Sequence, residues 1–346
     1  MKVLVATSDV PFVEGGHRVI ANALVDALHR SGYEAEILTT PTNRFGRQFA
    51  SYTATRLTDV EFTGAGYKTD QLISLRFPSY ALYHPRHVCW LNHRMREYYD
   101  LWPEWSGALK WKGRIKEGIR KKLIHAADNY FLKRNVDKVF AQSENVRTQL
   151  HQWGKIPSEV LYPPPPHQDY YTEEYGDFIL SPARLTPLKR IPLLVEALAQ
   201  TKNGKAIIVG DGPDRASILE RIRAHSLENR VQWTGHVSSE ELKRLYATCR
   251  AVYYAPRNED YGLVTLEAFH SRKPVLTAVD SGGPAELVHH NINGFSVEPE
   301  ASGLASCMTV LFEDKALAER MGTAGFEEWK KINWNDTVNR LIHFDK

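Results

Sequence analysis

The chain has 346 residues, of which 42% are hydrophobic and 25% charged, a composition of folded globular proteins that excludes disorder as the main state. The formal net charge of +3 is too small to argue for a nucleic-acid partner. Three cysteines, Cys89, Cys249 and Cys307, none in C-x-x-C spacing, indicate neither a disulfide framework nor a zinc ribbon.

The length suggests about two domains. No apolar run reaches the roughly 18–20 residues of a membrane-spanning helix. Ser8 and Asp9 cut short the apolar run at 3–6, so no export signal is expected. These features suit a reducing cytoplasm, with contact at a membrane surface left open.

In chain order, residues 2–7 read as a buried-type strand. A loop with Gly15 and Gly16 follows. Ile20, Ala23, Leu24, Ala27 and Leu28 then recur at helical spacing, and Gly32 marks the helix end. Residues 34–40 give a second strand, completing a βαβ unit. Further strands are expected at 72–76, 87–91 and 137–142. Tyr162 to Pro166 reads Y-P-P-P-P, a stiff extended connector. Such a tract can also be a recognition segment, but its place between two α/β patterns favours a linker. The alternation restarts with strands at 177–181, 206–209, 231–234, 251–255, 275–278 and 295–297. The stretch from Ala316 onward is helical in pattern, with Trp329 and Trp334 near a bend. The expected domains are 1–163 and 164–325, with 326–346 a helical segment crossing back to the first domain. Two doubly wound sheets in tandem bind ligands outside their strand ends, so an interdomain cleft is the expected active site.

Four segments carry candidate chemistry. Glu259-Asp-Tyr-Gly-Leu-Val-Thr-Leu-Glu267 follows the strand at 251–255. A helix starting near Gly262 leaves Glu259 in a loop and Glu267 in the second turn. The N–H groups of Leu263 and Val264 then lie at the positive helix end, where phosphate binds. Two carboxylates beside such a site suit sugar hydroxyls; two solvated acids on an ordinary loop give the same pattern. In Pro182-Ala-Arg184-Leu-Thr-Pro-Leu-Lys189-Arg190, the Arg184 fork and the Lys189 point charge can converge on one diphosphate, or belong to a solvated basic loop. Gly210-Asp-Gly212 permits a tight turn or close ligand approach. It is not a G-x-G-x-x-G fingerprint, because Arg215 stands at the third glycine position. Ser281-Gly-Gly-Pro-Ala-Glu286 reads first as a helix cap and second as a ligand contact.

Taken together, in this order, these segments resemble the retaining glycosyltransferases of family 4, which have the GT-B fold: two Rossmann-like doubly wound α/β domains facing across a deep cleft. The resemblance is strongest over 178–297 and thinnest between 41 and 122. It implies that Glu267 holds the ribose of a nucleotide-diphosphate sugar and that Glu259 meets the donor sugar. Arg184 and Lys189 would neutralise the diphosphate, with Gly210 and Gly212 near the donor. Gly262, Leu263 and Val264 would offer backbone to the nucleotide, and Gly15 and Gly16 would approach the diphosphate. His236 and Val237 would face the base. His93, after the strand at 87–91, would lie near the donor sugar, or be a satisfied structural histidine; Arg94 beside it is a lesser candidate. No D-x-D motif is present, so no metal and no other cofactor is expected, and the cations act where charge develops on the leaving group. No nucleophile beside the anomeric carbon is evident, which favours same-face attack over a double displacement.

From Gly107 to Lys138 ten Lys or Arg stand against three acids, with Trp102, Trp105 and Trp111 just before or within the stretch. A basic helix with tryptophans can lie on anionic lipid, here the inner face of the cytoplasmic membrane; a solvated basic face is the plainer reading. No nucleic-acid module accompanies it. The expected acceptor is a glycan, a lipid-linked or a small molecule in bacterial surface-polysaccharide or glycoconjugate synthesis. The rivals are a nucleotide-sugar 2-epimerase of the same fold, a nicotinamide-dependent dehydrogenase and a non-catalytic nucleotide-sugar-binding subunit.

Overall fold

The computed structural model describes residues 1–9, 16–42, 46–167 and 169–343; Gly15 lies outside them. Its contacts divide the chain into Met1–Pro166 with Asn333–Lys346, and His167–Ile332.

The first unit runs β1 (Lys2–Asp9), α1 (Gly16–Arg30), β2 (Glu34–Pro41), α2 (Gln48–Arg56), β3 (Gln71–Ser74), β4 (His87–Leu91), α3 (Trp102–Gly107), α4 (Trp111–Arg134), β5 (Lys138–Ala141), α5 (Glu144–Gly154) and β6 (Glu159–Val160). The strands form one parallel sheet in the order β2-β1-β3-β4-β5-β6. β3 and β4 are buried along their whole length. Helices cover both faces of a parallel sheet, so its central strands carry continuous rather than alternating apolar residues.

The second unit runs β7 (Phe178–Pro182), α6 (Ile191–Ala199), β8 (Lys205–Val209), α7 (Arg215–Ala224), β9 (Val231–Gly235), α8 (Ser239–Thr248), β10 (Ala251–Tyr253), α9 (Leu263–His270), β11 (Val275–Ala278), α10 (Gly283–Leu287), β12 (Gly294–Val297), α11 (Ala301–Glu313) and α12 (Lys315–Trp329). Its sheet order is β12-β11-β10-β7-β8-β9, all parallel. A single core gathers Ile179, Ile208, Tyr253 and Leu276 from the strands with Leu194, Leu304 and Met308 from the helices. The last helix, α13 (Trp334–Ile342), returns to the first unit, where the Gln71 amide donates to the Leu341 carbonyl at 2.6 Å.

The boundaries differ slightly from those the sequence suggests. The proline tract stays with the first unit, because the Trp334 indole donates to the Pro165 carbonyl at 3.0 Å and Trp334 packs edge-on to Trp90. Residues 326–332 stay with the second unit, because the Trp329 indole donates to the Leu287 carbonyl at 3.0 Å. The return therefore begins at Asn333, not 326. The two-residue strand β6 has no pattern of its own in the sequence. Helices α5 and α8 do have a signal, the Ser143 and Ser238 N-caps that accept from Val146 N and Glu241 N. No helix among the described residues is long and apolar enough to cross a membrane.

Candidate active site

The order of the second sheet decides where its site lies. From β7 the chain builds outward through β8 and β9, then returns to the other side of β7 with β10, β11 and β12. Read from its own first strand this is the order 3-2-1-4-5-6, whose switch point lies between the first and fourth strands, here β7 and β10. In sheets of this order the ligand crevice lies outside the strand ends at such a switch point. The loop after β7 carries Arg184 and Lys189, and the loop after β10 carries Glu259. Two sequence motifs about 70 residues apart are thus neighbours because their strands pair, Ala251 with Ile179 and Val252 with Leu180.

The two loops are joined by charge. Lys189 Nζ donates to Glu259 Oε2 and to the Tyr254 hydroxyl, each at 2.7 Å. Burial by itself lowers an ammonium pKa, but the Glu259 charge and the Tyr254 hydroxyl outweigh it and hold Lys189 above the usual lysine range. Burial also pushes the Tyr254 phenol up to about 12, and that hydroxyl lies in the field of both Glu259 and Glu267. The fork of Arg190 grips Asp280 through two hydrogen bonds, tying the loop after β7 to the loop after β11. Arg184 is exposed and makes no ion pair among the described residues. The pair expected to share a diphosphate is therefore unequal: Lys189 is already neutralised by Glu259, and Arg184 is available.

Glycines allow these loops to touch. A Cβ on Gly283 would stand 2.4 Å from the Tyr261 carbonyl oxygen. This close approach lets Glu259 N donate to Ser281 O at 2.8 Å and Gly283 N donate to Glu259 O at 2.9 Å. The Ser281–Glu286 segment thus braces the Glu259 loop. Gly210, at φ +115°, and Gly212 press on the Ala183 and Leu185 carbonyls, where a Cβ would come within 2.3 Å. Both glycines expected near the donor therefore make backbone contact with the loop that carries Arg184.

Gly262, at φ +84°, precedes α9, so Leu263 and Val264 supply its first N–H groups, which have no helical acceptor. Glu267 falls in the second turn. Its Oε2 accepts from the Tyr246 hydroxyl at 2.7 Å, and the Tyr170 hydroxyl also donates to this carboxylate. Burial raises the Glu267 carboxyl above its ordinary range, and the two phenols act against the rise. His236 is exposed and Val237 half-buried, directly after β9.

The first sheet has its own switch point. Its order, 2-1-3-4-5-6, reverses between β1 and β3. Gly16 opens α1 after β1 and is exposed. Arg76 follows β3 and His93 follows β4. The His93 ring meets the Arg94 carbonyl at 2.5 Å through Nδ1. A carbonyl only accepts, so this bond assigns the proton to Nδ1 and leaves Nε2 as an acceptor. Burial, then the charge of Arg76, holds the imidazole well below its usual pKa, in the neutral form. Arg94 turns inward instead. It is buried, stacks on Tyr99 at 3.9 Å and donates to the Gln149 carbonyl, a structural role.

Sequence reasoning missed Tyr254, Tyr246, Tyr170 and Arg76. Tyr254 directly follows β10, the strand before Glu259, and that position was the available signal. The other three reach their places through tertiary packing, which leaves no local pattern. Among the described residues no three His, Cys, Asp or Glu side chains stand together to hold a metal ion.

Comparisons agree with this architecture. Over 99% of this chain and 98% of its own, HepE from Anabaena, solved with UDP and glucose, superposes with a TM-score of 0.71 at 20% identity. Sucrose-phosphate synthase from Thermosynechococcus elongatus superposes with a TM-score of 0.76 at 18% identity, covering 98% of this chain and 97% of its own. The fold is the two-domain α/β fold of the GT-B class. Residues 167–328 match the family of glycosyl transferases group 1, nearly the whole second unit. Over that span the second unit is similar to group 1 glycosyltransferases. The alpha-1,3/1,6-mannosyltransferase of Homo sapiens is 30% identical over 165 residues, 42% of this chain and 39% of its own length. The alpha-D-kanosaminyltransferase of Streptomyces kanamyceticus is 32% identical over 158 residues, 43% and 41%. The chain thus spans about two fifths of the length of these curated relatives.

Proposed function

We propose that the chain is a retaining glycosyltransferase that moves a hexose-type sugar from a UDP- or GDP-sugar to a glycan, lipid-linked or small-molecule acceptor. The observation that carries this reading is the Lys189–Glu259 pair at the switch point between β7 and β10, with Arg184 exposed on the same loop as Lys189 and α9 beginning directly after the Glu259 loop. The donor preference draws on HepE, which was solved with UDP and glucose. The setting draws on bacterial surface-polysaccharide or glycoconjugate synthesis, with the protein cytoplasmic.

In this reading the diphosphate lies against Arg184 and the N–H groups of Leu263 and Val264. Glu267, steadied by its two tyrosines, accepts from the ribose hydroxyls. As the bond between anomeric carbon and diphosphate oxygen breaks, negative charge grows on the leaving oxygen and Lys189 stabilises it. Fixed cations act most where charge develops, so no metal is required. The acceptor oxygen attacks from the same face and its proton passes to the leaving phosphate. The bond broken and the bond formed then balance without a further acid or base. In the first unit His93 offers Nε2 as an acceptor for a sugar hydroxyl.

A thermal-shift series tests the reading, with UDP, GDP, ADP, CMP, NAD and sugar derivatives, each with and without EDTA. At about 100 times its Kd a ligand stabilises the fold by roughly 2.7 kcal/mol. The expected result is a shift with one nucleoside diphosphate and its sugar, unchanged by EDTA. A shift with NAD alone, or with none of the nucleotides, sinks the reading.

A further inference from the structure

The long helix α4 divides its residues in a way the transfer reading does not use. Its two acids face the interior: Glu117 is 9% exposed and Asp128 is 0% exposed. Glu117 accepts from the Tyr98 hydroxyl and the Arg120 guanidinium, and Asp128 accepts from Tyr52, Tyr80 and Tyr99. Ile124 and Leu132 complete the buried side. The outward side carries Lys112, Lys116, Lys122, Lys133 and Arg134, all exposed, and no acid; Arg114 turns back to donate to the Ser106 carbonyl at 3.2 Å. Among these cations runs an apolar row at four-residue spacing, Trp111, Ile115, Ile119 and Leu123, exposed to 68%, 58%, 59% and 52%, with Tyr130 further along at 61%.

Residues four apart lie on one helix face, and a globular helix ordinarily turns its apolar row toward the core. Here the core side is supplied by other residues, and the outward row leaves more than half of its apolar surface in water. Trp102 and Trp105 do not join it; they pack on Tyr98.

We propose that the outward face of α4 docks on an anionic lipid bilayer. The apolar row enters the boundary between headgroups and acyl chains, and the lysines and arginines around it meet lipid phosphates. Charge selects this occupant. A second copy of the chain would set the same cations against each other, and a purely polyanionic partner would leave the aliphatic row unburied. The proposal stands apart from the transfer reading, because none of its residues lies in the second unit.

The test is co-sedimentation of the full chain with vesicles of phosphatidylcholine alone, and with about one third phosphatidylglycerol. Two variants accompany it: Ile115→Asp with Ile119→Asp, and Lys112→Gln with Lys116→Gln and Lys122→Gln. All five positions are exposed, so an unchanged Tm certifies the fold, and an unchanged nucleotide thermal shift certifies the second unit. The expected result is binding to the anionic vesicles only, weakened by added salt and by at least roughly tenfold in each variant. The proposal is overturned by equal partition to both vesicle types, by no binding, or by variants that bind as the parent does. It also falls if sedimentation velocity finds a dimer that the aspartate variant dissolves, since a second copy would then cover the face.

Discussion

The two sheets of this chain use the same building plan with different strand orders. Each starts in the middle, builds outward, then returns to the far side of its first strand, and each opens a crevice where the direction changes. In the second unit that crevice is packed with charge: Lys189 on Glu259, Arg190 on Asp280, and glycine contacts that lock neighbouring loops. In the first unit the strand ends hold a neutral His93, and the strong polar cluster sits in the interior, where Asp128 takes three tyrosine hydroxyls. One plan gathers its charges on the loops at the strand ends, the other uses its polar cluster to hold a long helix against its neighbours.

That contrast can be broken by substitution. The largest effect is expected from Lys189→Ala. If Lys189 acts on the leaving group, kcat should fall by about 10²–10³, with a much smaller change in donor affinity. Glu259 also loses a charged hydrogen bond, worth about 1.5–3 kcal/mol. Steady-state kinetics beside nucleotide titration check this; equal losses in both would leave Lys189 a ground-state contact.

Asp128→Ala tests the other unit. Three buried hydroxyls lose their acceptor, and at about 1–3 kcal/mol each stability should fall by roughly 3 kcal/mol or more in denaturant unfolding. Nucleotide affinity measured on the folded fraction should not change. A variant with altered affinity and unaltered stability would contradict the assignment of this cluster to structure.

Gly283→Ala should cost about 1–3 kcal/mol, because its Cβ must displace the Tyr261 carbonyl. It should also weaken donor binding by loosening the Glu259 loop. Calorimetry and nucleotide titration of the one variant read both.

Tyr246→Phe removes one hydrogen bond to Glu267 and should weaken donor binding by a few fold. The Glu267 carboxyl titrates above the usual carboxylate range. Hydroxyls are best accepted by the ionised form, so donor affinity should fall on acidification, starting at a higher pH than an ordinary glutamate near 4.3 gives. Glu267→Gln should flatten that dependence. For stability the sign is opposite. A raised acid favours the folded state below its unfolded pKa, and that contribution is lost as pH rises through the folded value.

The smallest effect is expected at His93. Its pKa is lowered, so it stays neutral, and kcat/KM should show no limb near pH 6.5 that vanishes in His93→Gln. Its contribution to stability is present above 6.5 and is lost as pH falls through the folded value.

The second unit was the more legible because its site is made of short segments that begin at strand ends. Apolar runs located β7, β8, β10 and β11, and the charges and glycines follow each run directly. The first unit was legible as a fold, since β1, α1, β2 and β4 carry plain periodicity, but its interior was not. Tyr52, Tyr80, Tyr99 and Asp128 are spread over 77 positions and share no spacing. The basic stretch was visible as a charge excess, yet its outward apolar row was not. Periodicity reports that one face differs from another; it does not report which face turns inward.

The sequence by itself determined the two α/β halves, the proline tract between them, and which charged residues and glycines follow each strand of the second half, because these depend on neighbours along the chain. The tertiary structure decided that Lys189 is neutralised by Glu259 while Arg184 is free, that two tyrosines hold Glu267, and that α4 buries its acids and exposes Ile115 and Ile119. Each is a choice of partner across many residues, settled by which strands pair and which side chains burial forces to find a counter-charge or a hydrogen bond.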